Sequence, residues 1–286
     1  DKITIYQFTD PVCVWCWGNE PVMRAIDYLY GNKVGVEYIM GGLIEEISTL
    51  YDLKGNKRQI IEKANSLMAE NWLSASERHG MPVNTRHMAL FSERYPSSFP
   101  QNIAFEAAHR IDPTMAKRFL RRIREATFTE CRRTSQMDVL IELAAEAGLG
   151  AAQFIDHYTY GTAQADFMQD RMKCRRNGIT GFPSYLVKDG YTNIILGGYQ
   201  NLATFHTVIS RLSSGKIKPR RVGPSIANVL AFIKRYKRVY PAEIEVAFSL
   251  DKAQTDLMIA ELISTRRIAV QSVGNGQYLY PDTEAK

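Results

Sequence analysis

The stretch Phe8-Thr9-Asp10-Pro11-Val12-Cys13-Val14-Trp15-Cys16-Trp17 constrains this chain more than any other, because it sets two thiols three residues apart between a strand and a helix. Residues 2–8, KITIYQF, are rich in β-branched and aromatic side chains and contain no strand breaker. Beyond Cys13, the residues Val22, Ala25, Ile26, Leu29 and Tyr30 recur at helical spacing and mark one apolar face. Gly31-Asn32 ends that helix, and KVGVEYIM, residues 33–40, predicts a second strand. Together these make a βαβ unit with Cys13 at the start of its helix, where unpaired backbone N–H groups point outward.

Two thiols at this spacing can exchange electrons, hold a metal or pack in a core. A metal site needs further ligands, but Cys131 and Cys174 stand alone and no histidine lies at zinc-finger spacing, so no metal site is expected. The partial positive charge at a helix N-terminus favours a thiolate, which predicts a lowered pKa and a nucleophilic sulfur at Cys13. Cys16, one turn further on, faces the same side and is placed to resolve a mixed disulfide formed on Cys13. A CxxC beside a βαβ pattern therefore reads as a redox dithiol.

Composition agrees with a globular chain in a reducing compartment. The 286 residues are 45% hydrophobic and 23% charged, enough for one large or two modest domains with a core that needs no disulfide staples. Four cysteines are too few for a secreted disulfide scaffold. The net charge of +6 permits an acidic partner without requiring one. No apolar run is long enough to span a membrane. The expected location is the cytoplasm; the periplasm stays open, because the first strand begins at residue 2 and a removed leader leaves no trace.

A second motif lies far along the chain. GITGFPSYLVKDG, residues 178–190, is a glycine-punctuated turn followed by Pro183 and a strand, with NIILGG as the second arm of a hairpin. The Phe182–Pro183 bond is a candidate cis peptide, with an ordinary trans proline at a strand start as the alternative.

TDPVCVWCWGNEP followed by GITGFPSYLV resembles the DsbA-like branch of the thioredoxin superfamily, in particular its FrnE-type and kappa-glutathione-transferase-like members. YIMGGL is similar to a glycine pair of that branch, and YPSSFPQNIAFEAA to part of its helical insertion. The resemblance covers roughly residues 1–215. It implies an α/β thioredoxin fold, residues 1–55 and 166–215, interrupted by a helical insertion at 56–165. It further implies Cys13 as nucleophile, Cys16 as resolving thiol and Pro183 as a cis-proline against them. Val14, Trp15, Trp17 and Phe182 are then the expected lining of a substrate groove.

Two departures stand out. Val14-Trp15 between the cysteines supplies no cation, so the Cys13 thiolate receives less help than in a strong oxidant, and a couple on the reducing side is expected. Gln7 stands where thioredoxin and DsbA carry a buried carboxylate. An amide accepts no proton, so the base for Cys16 is expected to be Asp10 or water, with Asp10 and Gln7 the candidate relay positions; the alternative for Asp10-Pro11 is a plain turn.

The middle of the chain predicts helices over 58–79, 100–111, 114–130 and 136–147, broken at Gly80, Asp112-Pro113, Cys131-Arg132 and Gly148. Cys131 and Cys174 are expected to be structural thiols. The segment SSGKIKPRRVGP, 213–224, reads as a basic linker. Beyond it, three helices and a hairpin around Gly274-Asn275-Gly276 resemble a small winged-helix-like α+β module at 222–286. That pattern often binds DNA through its third helix. Here eight Lys or Arg from residue 222 onward face seven Asp or Glu, and the third helix carries Asp251, Asp256 and Glu261. Charge thus favours a protein-contact or dimerisation role over nucleic acid.

The leading expectation is a thiol–disulfide oxidoreductase or isomerase acting on a disulfide-containing protein or a small thiol, with no bound cofactor and glutathione as a candidate co-substrate. The alternatives are a non-catalytic adaptor that binds a client protein and a glutathione-dependent transferase or isomerase. No membrane partner is expected, and a homodimer is allowed.

Overall fold

The computed structural model describes residues 2–282, so Asp1 and residues 283–286, the ends of the expected 1–55 segment and 222–286 module, lie outside the described residues. Strand β1 (Ile3–Thr9) leads into a short helix α1 (Val14–Gly18), then α2 (Glu20–Tyr30) and strand β2 (Val34–Met40). The expected single helix is two. Pro21 has no N–H to give the Trp17 carbonyl four residues back, so the helix breaks at Asn19 and restarts with Pro21 in its first turn.

β1 pairs with β2 in parallel, and with β3 (Ser184–Lys188) in antiparallel; β3 pairs with β4 (Asn193–Gly197), giving the order β2-β1-β3-β4. The period of two along β1 divides the sheet. Ile3 and Ile5 face α2 and α9 (Leu202–Leu212), with Tyr185, Val187 and Phe205. Phe8 and Tyr6 face the other way, with Ile39, Cys174 and Phe182. This is a thioredoxin sheet with its βαβ and ββα halves separated by an insertion.

The insertion runs through α3 (Lys57–His79), α4 (Phe99–Ile111), α5 (Pro113–Thr129), α6 (Met137–Glu146), α7 (Ala151–Thr159) and α8 (Thr162–Arg176), past the expected boundary at 165, because Ala163 and Phe167 of α8 pack into its core. Asn56 opens α3 with a capping box, and Gly80, at φ +76°, closes it. Helices α4 to α8 share a core that includes Phe105, Phe119, Ile123, Leu143 and Phe154. A separate cluster joins α1 to α3 through Trp17, Ile61, Met68 and Trp72, with Phe128 of α5 and Tyr240.

The C-terminal residues form α10 (Ile226–Tyr236), α11 (Pro241–Phe248), α12 (Lys252–Ser264) and a hairpin of β5 (Ile268–Val273) and β6 (Gly276–Pro281). They do not hang from a linker. α2 is apolar on two sides, and Tyr28 packs edge-on against Phe232 at 4.9 Å, so one continuous core runs from the sheet through α2 into α10–α12. Residues after α9 are strapped to α2, where the Arg220 N–H and guanidinium donate to the carbonyls of Leu29 and Tyr28. The hairpin turn docks on residues 81–84: Asn275 N–H donates to the Val83 carbonyl at 3.1 Å, and its Oδ1 accepts from Val83 N–H at 2.8 Å. Gly274, at φ +52°, is required there, since a Cβ would sit 2.1 Å from the Val83 oxygen. Among the described residues, no helix is long and apolar enough to cross a membrane.

Candidate active site

Cys13 is the N-cap of α1, and its Sγ accepts the Cys16 N–H at 3.2 Å. Its thiol lies 3.6 Å from the Phe182 carbonyl, and the Phe182–Pro183 peptide bond is cis. Neither cysteine is in a disulfide; Cys13 is 4% exposed and Cys16 fully buried. The register of β1 against β3, with Phe8 opposite Ser184, brings the two distant motifs to one end of the sheet.

The expected lowering of the Cys13 pKa is not what the surroundings give. Burial pushes the Cys13 thiol well up, and the neighbouring Cys16 sulfur adds to this. α1 is only five residues long, so its end charge is small against that burial. Burial also pushes Cys16 up, but the Cys13 thiol, the Arg124 guanidinium and the Thr9 hydroxyl outweigh it and bring Cys16 below its ordinary value. The pair thus gives up one proton readily and holds the second tightly.

A cavity of about 380 Å³ opens beside Cys13. Val14, Trp15 and Phe182 line it, with Leu43, Tyr51 and Trp72. Arg78 is the only charged side chain among its described lining residues. Trp15 is held edge-on between His79, at 5.7 Å, and Tyr199, at 6.0 Å. Burial takes His79 down to about 4, so this support is neutral. Gly41, first of the glycine pair after β2, makes room for Phe182: a Cβ there would lie 1.9 Å from the ring.

Trp17 does not line the groove. It points inward, fully buried, stacked on Phe128 with its indole N–H given to the Pro82 carbonyl at 2.9 Å. Its neighbour Trp15 is two residues away on a helix and so faces a different direction. Gln7 is no relay either: its amide donates to the Tyr185 hydroxyl at 3.3 Å, and that hydroxyl donates to Asn19. The amide thus pins the helix break to β3.

Asp10 is a bracket. Its buried carboxylate accepts from Val12 N–H, Leu43 N–H, Ser98 Oγ and Asn102 Nδ2 at 2.7–2.9 Å, tying the cysteine loop to the loop after β2 and to α4. Burial raises its pKa against these four donors, and among the described residues no hydrogen bond joins its carboxylate to either sulfur. What the sequence did not reveal is the cation behind Cys16: Arg124, fully buried on α5, donates to Glu20 and to Thr9 Oγ1. Only the spacing of Arg121, Arg124, Glu125 and Phe128 on one face of an insertion helix hinted at it.

The family model described as Thioredoxin (Thioredoxin_5) matches residues 6–206. The chain belongs to this thioredoxin family. Among curated relatives, it is 24% identical over 280 residues to the ClpXP adapter protein SpxH of Halalkalibacterium halodurans, covering 96% of this chain and 88% of that protein. It is 21% identical over 281 residues to the SpxH of Bacillus subtilis, covering 96% and 88%. Among solved structures, the cytosolic disulfide reductase DsbM from Pseudomonas aeruginosa superposes with a TM-score of 0.58 at 23% identity, covering 74% of this chain and 98% of that one. DsbM has also been solved with GSH, at a TM-score of 0.56 and 23% identity, covering 74% of this chain and 99% of that one. The likeness to DsbM is one of fold, and this thioredoxin-family chain carries α10–α12 and the hairpin beyond the residues that the family model matches.

Proposed function

We propose that this chain exchanges its Cys13–Cys16 dithiol with a disulfide in a protein segment or small thiol lying in the groove over Trp15 and Phe182. The observation that carries this reading is the capping of α1 by Cys13 Sγ beneath the Phe182 carbonyl, with Cys16 one turn behind and lowered in pKa. A thiolate shared by two adjacent sulfurs is what attack on a disulfide and release of the product both need. The mostly apolar lining favours an extended protein segment, while Arg78 gives a carboxylate such as that of glutathione one partner. A cytoplasmic setting belongs to this reading, since a reducing compartment keeps both thiols available.

The second reading is an adaptor that holds a client protein in the same groove. It is favoured by the similarity to ClpXP adapter proteins, which extends through 96% of the chain and so takes in the C-terminal helices. Reduction of insulin by the parent and by Cys13→Ser and Cys16→Ser separates the two. Turnover by the parent that is lost in both variants is the expected result. A parent that never turns over removes the oxidoreductase and leaves the adaptor.

A further inference from the structure

Resolution of a mixed disulfide requires Cys16 to lose its proton, yet the groups that usually accept it are elsewhere. Gln7 is an amide bonded to Tyr185, and the Asp10 carboxylate is taken up by four donors away from the sulfur. Behind Cys16 stands Arg124 instead, with no exposed surface. One arm of its guanidinium is paired with Glu20; the other donates to the hydroxyl of Thr9, the last residue of β1. Guanidinium has no acceptor atom, so Thr9 Oγ1 is the acceptor in that bond and keeps its own proton to give away. That hydroxyl, with the Arg124 charge behind it, favours the Cys16 thiolate.

We infer that Arg124 is a positioning residue which, through Thr9, holds Cys16 as a thiolate and so replaces the general base that a resolving thiol otherwise needs. This rests on the dithiol exchange proposed above. In the first step the Cys13 thiolate attacks a substrate disulfide RS–SR′; a Cys13–SR bond forms, the S–S bond breaks, and R′S⁻ leaves to take a proton from water. The proton that the pair retains, held on Cys13 at rest, passes to Cys16 as Cys13 attacks. It then passes to water, because Arg124 and Thr9 stabilise the thiolate left behind. That thiolate attacks the Cys13 sulfur, the Cys13–Cys16 disulfide forms, and RS⁻ departs. Two electrons have moved from the dithiol to the substrate disulfide.

The geometry makes a cation on the helical insertion part of the site. α5 carries Arg124 and Arg121 toward Glu20, and Arg121 reaches Glu243 of α11 at 2.8 Å. The ionisable groups around Cys16 are therefore Cys13 on its own turn, Asp10 before it, Arg124 from α5, Glu20 from α2 through its pair with Arg124, and Tyr185 from β3. The last stays a neutral phenol, because burial raises its pKa well above the ordinary value.

The test isolates Cys16 in a Cys13→Ser background and follows thiolate absorbance near 240 nm against pH in the full chain. Thr9→Val keeps the shape of the side chain and removes the hydroxyl; the midpoint should rise by about one pH unit. Glu20→Gln removes the anion that neutralises Arg124, so the midpoint should fall. A general loosening of the site does not move the two variants in opposite directions, and each decides the matter alone if the other fails to fold. An unmoved midpoint in Thr9→Val, or a raised one in Glu20→Gln, overturns the inference. The titration uses no substrate, so a parent without insulin turnover would count against the proposed reaction and leave this result standing.

Discussion

Glu106 lies in the core of the insertion, 6% exposed, with its Oε1 unbonded and Asp170 beside it. Burial and the Asp170 charge push its pKa to about 9. The unfolded chain releases the same proton near the ordinary glutamate value of 4.5. The stability tied to this proton is therefore complete below about pH 4.5 and drains away as the pH rises toward about 9. Glu106→Gln keeps the shape and cannot ionise. It should be more stable than the parent at pH 8.5 by several kcal/mol, on the order of 5, and differ little at pH 5. Urea titrations at both values check this; an equal difference at the two would show that Glu106 is not the titrating group. His79 acts in the opposite sense: held neutral to about 4, it favours the fold above the ordinary histidine value and withdraws that support as the pH falls through it.

Elements were more legible in the sequence than their contacts. The strand before the cysteines, the two arms of the second hairpin and the insertion helices α3 to α6 follow from period, β-branching and breakers, because each of those signals acts within about ten residues. The split at Asn19 was readable from Pro21 but is hidden by the apolar spacing that runs across it. Trp15 and Trp17 show the limit at the site: both are aromatics beside a cysteine, and only the turn of α1 decides which one meets the groove. Arg124 was beyond reach for the same reason, since a buried arginine looks in sequence like any surface charge of α5. The C-terminal hairpin is a further case. Gly274-Asn275-Gly276 announces a turn, but not that the turn is bonded to residues 81–84. Asn275→Ala removes the acceptor for Val83 N–H and the donor that reaches Ser76 Oγ at 3.0 Å. It should cost about 1–3 kcal/mol in urea unfolding, because the Val83 N–H is left without its partner. A change below a few tenths of that would mean the turn is seated by Gly274 and backbone bonds alone.

At the scale of the molecule, the arrangement of charge and core argues that the C-terminal helices are part of what makes the thioredoxin half stable. Arg24 of α2 pairs with Glu243 of α11 at 2.6 Å, and Arg121 bridges Glu243 to Glu20, which itself pairs with Arg124 behind Cys16. These groups are nearly all enclosed, so taking away one member leaves a buried charge uncompensated. The apolar share is larger. α2 meets the sheet on one side and Phe232, Ile244 and Phe248 on the other, and each such side chain fully buried contributes about 1.5–3 kcal/mol. A chain ending at residue 221 would expose Tyr28 and the second face of α2 as a contiguous apolar patch while stranding Arg24 and Arg121 without Glu243. It should therefore bind a hydrophobic dye, melt at least ten degrees lower or fail to stay monomeric, and the whole chain should unfold in urea in one transition rather than two. If the shortened chain melts within two degrees of the parent and stays monomeric, then the shared core is a surface contact between independent folds, and Glu243 has no hold on the cysteines.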